Sequence, residues 1–175
     1  MAATEVISIA LERNWSMVDN AIASIDDAAL TQQPNDQSNS AAWLLWHMNR
    51  VVDNMIHTRL QSLEQLWVRE GWHQKFGMSD DQIDFGMGWT AEQVAAWQAP
   101  SREVLVGYYE ALKASAREYL SSLSDEGLSR SVVVPPNNES RAVSDILGVM
   151  VYDNVVHGGQ IAYLRGYYGG MGWHR

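Results

Sequence analysis

A chain of 175 residues with 46% hydrophobic and 19% charged side chains has the length and composition of a globular domain that folds without a disulfide or metal staple. Twenty-one acidic against twelve basic residues give a net charge of −9, which disfavours nucleic acid and anionic membrane surfaces as partners, because both select for basic patches. The absence of cysteine excludes a cysteine nucleophile, a cysteine-ligated zinc site and internal disulfide chemistry.

The N-terminal "MAATEVISIALERNW" lacks a basic region followed by an apolar run, and no stretch reaches the roughly 18 apolar residues of a membrane span. A cytoplasmic protein is expected. From about Thr4 to Ile25, the residues Val6, Ile9, Ala10, Met17, Ala21 and Ile25 recur at three- and four-residue spacing and predict an amphipathic helix. The polar "DDAALTQQPNDQSNS", with Pro34, ends it. Ser38 or Ser40 can then cap a second long helix running to about Glu70. Next comes "GWHQKFGMSDDQIDFGMG", a long aperiodic loop rich in glycine and aromatics, of the kind that often carries function.

Thr90, with Gln93 at capping-box spacing, predicts a short helix, and Pro100 ends it. Ser101 caps a third long helix to about Leu123, an extended piece is expected at Val132 to Val134, and a fourth long helix starts near Val143. The expected fold is therefore all-α, a four-helix bundle making one domain over residues 1–175.

The fourth helix carries the chemistry. At about 100° per residue, Val143, Ile146, Met150, Ile161, Leu164 and Tyr168 fall within about 40° of His157, and Asp153 falls there too. A carboxylate on an apolar stripe must be neutralised, hydrogen-bonded or metal-bound. An Asp153–His157 contact alone would satisfy it, whereas a metal site needs a ligand from another helix. On the second helix, His47 lies at the edge of the arc formed by Leu44, Leu45, Met48, Val51, Val52 and Met55, so its ring can reach the interior. His47, Asp153 and His157 together would suit zinc, nickel or iron(II), with positions left open for water or substrate. Asp53 and His57 echo the C-terminal spacing, but point away from the apolar arc and are expected on the surface or in a subunit contact. His73 in the loop and His174 near the terminus have no fixed geometry in the sequence.

"SAAWLLWHMNRVVDNMI", followed far downstream by "DNVVHGGQIAYLRG", resembles the DinB/YfiT-like superfamily, along with the "GWHQKFG" loop and the terminal "LRGYYGGMGW". Members are four-helix bundles with a histidine on the second helix and a paired ligand motif on the last. In many relatives that motif is His-x-x-x-His, and its first histidine aligns with Asp153. Mycothiol-dependent maleylpyruvate isomerases of the same superfamily look similar in pairing a carboxylate-x-x-x-His motif with a second-helix histidine, which maps onto Asp153, His157 and His47.

The resemblance implies a metal-dependent enzyme that uses a low-molecular-weight thiol, such as mycothiol or bacillithiol, to transfer to or isomerise a small-molecule electrophile. Its rivals are a metal-dependent hydrolase and a helical bundle that binds metal or ligand without chemistry. Around such a site Gln160, one turn past His157, is a candidate for bonding a ligand or substrate. Arg50 and Arg165 are candidates for gripping a carboxylate or fixing Asp153, and surface ion pairing is the competing reading of each. Trp43, Trp46 and Trp72 are candidate cavity walls, with core packing the alternative. A homodimer is compatible with such a bundle, although no residue pattern specifies one.

Overall fold

The computed structural model describes residues 3–135 and 137–171. Helix α1 (Ala3–Ser24) forms as expected but buries a different face, Leu11, Trp15, Val18, Ala21 and Ile22, while Val6 and Ile9 of the expected stripe are exposed. A short α2 (Asp27–Thr31) follows, not foreseen from sequence. Its N-cap is Asp26, whose carboxylate accepts from the Ala29 amide at 2.8 Å. Ser40 caps α3 (Ala41–Asp53) by accepting from the Trp43 amide at 3.2 Å. Every residue of α3 is buried, so this helix is the centre of the protein and has no solvent face.

Beyond Asp53 the helix continues as a π-helical segment, Asn54–Gln61, and stops at Ser62, which takes the left-handed conformation (φ 56°). The expected continuation to Glu70 is therefore incorrect. The chain instead turns back, and the amides of Leu66 and Trp67 donate to the Asp53 carboxylate at 2.9 and 2.8 Å. That tertiary demand outweighs the helical pattern of "RLQSLEQLWVRE". The short α4 (Leu66–Arg69), α5 (Trp72–Lys75) and α6 (Ala91–Ala96) follow, the last opened by the Thr90–Gln93 capping box.

Ser101 caps α7 (Arg102–Ser122), and a small α8 (Asp125–Ser129) leads into strands β1 (Ser131–Val134) and β2 (Glu139–Ala142). These pair antiparallel, with Val132 opposite Arg141 and Val133 opposite Ser140. The sequence foreshadows only the first strand, because "ESRA" carries no apolar alternation. Among the described residues the fold is thus mostly helical, with one small two-stranded sheet. Helix α9 (Val143–Gly169) packs mainly against α1 and α3, while α7 lies on the opposite side of α3. No helix among the described residues is long and apolar enough to cross a membrane.

The buried face of α9 runs through Val143, Leu147, Met150, Asn154, Gly158 and Ile161. Asp153 and His157 sit at its flank, on the side of α3, and are half-buried rather than central to the stripe. Asn154 occupies the centre, where its side-chain oxygen accepts from the Trp15 indole at 3.3 Å and its carbonyl from Asn14 at 3.0 Å. A Cβ at Gly158 would stand 2.2 Å from Asn14 Oδ1, so glycine is what lets α1 and α9 approach here. This close crossing sets the rotation of α9 about its axis and thereby aims the next residues along it at α3.

Candidate metal centre

Across the α3–α9 seam, one ligand atom each from His47, Asp153 and His157 lies within 4.8 Å of the other two. His47 Nε2 is 3.5 Å and His157 Nε2 is 3.4 Å from the same oxygen, Asp153 Oδ2. The two rings meet nearly edge to face, with centroids 4.8 Å apart.

Each imidazole is held from behind. His47 Nδ1 lies 2.5 Å from the Phe85 carbonyl, an acceptor only, so this nitrogen carries the proton. His157 Nδ1 lies 2.6 Å from Gln160 Oε1 and is fixed in the same sense. Both Nε2 atoms are thereby turned toward Asp153 Oδ2: a proton on His157 Nε2 bonds the carboxylate, and its loss would free a lone pair for a metal, the arrangement in which histidines ligate. Trp43 stacks flat on His47, at 5.2 Å between centroids and 4° between planes, and pins the ring rotation.

Burial is the largest single influence on both Asp153 and His157 and opposes their charged forms, but the other contacts together outweigh it. Hydrogen bonds and charge from His157 and His47 hold the Asp153 carboxyl below its ordinary range, and Asp153 and Gln160 lift His157 above the ordinary imidazole range. Asp153 Oδ1 is buried and has no hydrogen-bond partner. An orphaned carboxylate oxygen costs on the order of 1–3 kcal/mol, a cost that a cation at this point would remove. The donor set of two neutral imidazoles and one carboxylate fits a divalent metal on both counts.

The Phe85 carbonyl is itself positioned by the buried Arg50. The guanidinium donates to the carbonyls of Asp81 (2.9 Å) and Asp84 (3.2 and 3.3 Å) and to Gln65 Oε1 (2.7 Å), and lies 4.3 Å from the centre of the Trp67 ring. It neither sits on the surface nor touches Asp153; it ties the long loop to α3. Gly86, next along, has φ +82°, and a Cβ there would meet Trp43 at 2.6 Å and Trp46 at 2.8 Å. Only glycine lets the loop press this close to α3. The roles of Phe85, Asp84 and Gly86 are not legible in the sequence, since a backbone carbonyl leaves no side-chain signal; the glycines of "DFGMG" are the available hint.

The other candidates scatter. Trp46 packs on Trp89 and Trp97 behind α3, supporting the loop rather than lining the metal cluster. Trp72 packs on Tyr108 and Gly107, in a different part of the core. Arg165 donates to Ser24 Oγ at the end of α1, and His73 bonds the Trp67 carbonyl. His174 lies outside the described residues. The pair Asp53 and His57, expected at the surface, is buried beneath the returning segment that begins at Ser62. Asp53 accepts from His57, the amides of Leu66 and Trp67, and the Tyr108 hydroxyl at 2.6 Å. Burial, reinforced by the Asp53 charge, raises the Tyr108 pKa well above its usual value and keeps that hydroxyl a donor. The pair is buried, against the helical-wheel expectation, because the side of α3 away from α9 faces other protein, not water.

A cleft of ≈ 490 Å³ adjoins the cluster through Gln160, with Leu44, Asn39, Tyr163, Leu164 and Tyr167 among its walls. Fold and site together define a helical protein with a His–Asp–His centre between two core helices and a cleft beside it. The DinB superfamily profile matches residues 10–161, and the chain belongs to that superfamily. It is also similar to a crystal structure described as the conserved protein of a locus from Enterococcus faecalis, at 26% identity and a TM-score of 0.84, over 98% of this chain and 99% of that one. No curated protein matches.

Proposed function

We propose that this protein is a metal-dependent enzyme in which His47, Asp153 and His157 hold one divalent cation, zinc, nickel or iron(II). The reaction proposed is transfer of a low-molecular-weight thiol of the mycothiol or bacillithiol type to a small electrophile, or an isomerisation assisted by that thiol. Superfamily membership supports this reading, and one observation carries it: two imidazoles with anchored Nδ1–H groups turn their Nε2 atoms to one carboxylate oxygen.

A bound dication lowers the pKa of a coordinated thiol or water, so that a nucleophile exists near neutral pH. The chain's own residues prepare the place. The Phe85 carbonyl and Gln160 hold the two rings, Trp43 shields one face of His47, and the tyrosines of the adjoining cleft offer flat walls to a small molecule. The chain has no cysteine, consistent with a thiol that arrives as a cofactor. In this reading the four long helices act as a single-domain bundle, working in the cytoplasm on a soluble substrate.

The test is an assay of zinc-loaded protein with a chloronitrobenzene electrophile, with and without thiol. Thiol-dependent consumption that His157→Ala abolishes supports the proposal. Ester turnover without thiol that His157→Ala and a chelator both abolish would assign metal-bound water as the nucleophile and make the protein a hydrolase. Bound metal with neither activity would leave a metal-binding bundle.

A further inference from the structure

On the far side of α3 from the metal cluster, three side chains line up in a row. Asp53 Oδ1 is 2.7 Å from His57 Nδ1, and His57 Nε2 is 2.8 Å from Ser115 Oγ on α7. Asp53 is fully buried and accepts from two backbone amides and the Tyr108 hydroxyl, with the Arg50 guanidinium 3.9 Å away, so its carboxylate form is amply satisfied. Such a carboxylate fixes the His57 tautomer with the proton on Nδ1, leaving Nε2 as an acceptor for the Ser115 hydroxyl. Asp53 is the positioning residue of the row.

Two further observations set Ser115 apart from a packing serine. A serine inside a helix normally returns its hydroxyl to a carbonyl of the preceding turn, as Ser24, Ser121 and Ser122 do here. Among the described residues, the Ser115 hydroxyl bonds His57 instead. A cleft of ≈ 280 Å³ also opens on this pair, and Ser115, His57, Arg69, Tyr119 and Glu118 line it. Arg69 brings a cation to the cleft where charge would develop on a reacting oxygen.

We propose that Asp53, His57 and Ser115 form a second reactive site, independent of the metal, at which Ser115 accepts the acyl group of a small activated ester. Ser115 Oγ attacks the carbonyl carbon while its proton passes to His57 Nε2, and the resulting imidazolium is balanced by Asp53. The bond from carbon to the leaving oxygen then breaks, and the departing alcohol takes the proton from His57. Water attacks the acyl-serine by the reverse route, giving a proton to His57, which returns it to Ser115 Oγ as the carboxylic acid is released. Arg69 faces the developing oxyanion, a role that the backbone amides of α7, already committed to helix bonds, do not fill.

The probe is diisopropyl fluorophosphate with wild-type protein, read by intact mass and peptide mapping. The Oγ–P bond forms, the P–F bond breaks, and the proton goes to His57 as fluoride leaves. A single adduct on Ser115 is expected, lost in Ser115→Ala, at least about 100-fold slower in His57→Gln, and unchanged in rate after chelator treatment. Absence of an adduct on wild-type Ser115, equal labelling in folded His57→Gln, or labelling that disappears with the chelator would each overturn the proposal. Should His57→Gln fail to fold, the wild-type, Ser115→Ala and chelator results decide it.

Discussion

His47 donates its Nδ1 proton to the carbonyl of Phe85, a residue 38 positions away on the long loop, and this bond turns Nε2 toward Asp153. The loop between α5 and α6 is therefore part of the candidate metal centre, although it supplies no candidate ligand. Arg50 and Gly86 hold it in place, and each gives a distinct expectation.

Arg50→Met removes the guanidinium that ties the loop carbonyls to α3 and leaves Asp53 without its buried cation. Chemical denaturation should show a loss of about 3–5 kcal/mol, the usual cost of breaking a buried ion pair. Arg50→Lys should recover little, because one ammonium cannot reach Asp81, Asp84 and Gln65 together. A lysine variant with wild-type stability would contradict this.

Gly86→Ala places a Cβ against both tryptophans at a positive φ. The expected cost is on the order of 1–3 kcal/mol in stability, accompanied by weaker metal affinity as Phe85 moves off His47. Titration calorimetry with zinc and a denaturant series read the two effects separately. Weaker stability with unchanged affinity would show that the carbonyl does not position the ring.

Gln160→Ala touches the site through His157 alone and lies on an exposed surface. Metal affinity should fall about 10–100-fold, the usual effect of removing the partner of a ligating histidine, while the thermal midpoint of the metal-free protein stays within about a degree, as for an ordinary surface substitution. A large stability change would instead mark Gln160 as a packing residue.

Metal uptake should depend on pH with a definite sign. A protonated imidazole cannot ligate, and His157 holds its proton above the ordinary imidazole range through Asp153 and Gln160. Affinity should begin to fall at a pH above about 6.5 as the solution is acidified. Asp153, shifted downward, stays ionised through that window. Isothermal titration across pH 5–8 checks this, and a midpoint below the ordinary imidazole value would contradict it.

The parts of this molecule that its sequence makes legible are those governed by neighbours in the chain. Ser40, Thr90 and Ser101 cap helices where their spacing says they should, and Asp153 and His157 share a face because four residues make just over one turn. The illegible parts depend on distant partners. Nothing near Ser62 announces that Asp53 will draw the amides of Leu66 and Trp67 back onto α3, and from that fold-back follow the end of the helix, the burial of His57 and the loop-tying role of Arg50. The exact facing of α9 was equally hidden, since it turns on Gly158 letting Asn14 and Asn154 meet.

Elemental analysis of wild type beside His157→Ala, both purified without nickel resin, decides whether His47, Asp153 and His157 hold a metal. Near one equivalent of zinc, nickel or iron in the wild type, lost in the variant, is the predicted result. No metal in either protein, even after reconstitution, would mean that the cluster is a polar seam between two helices.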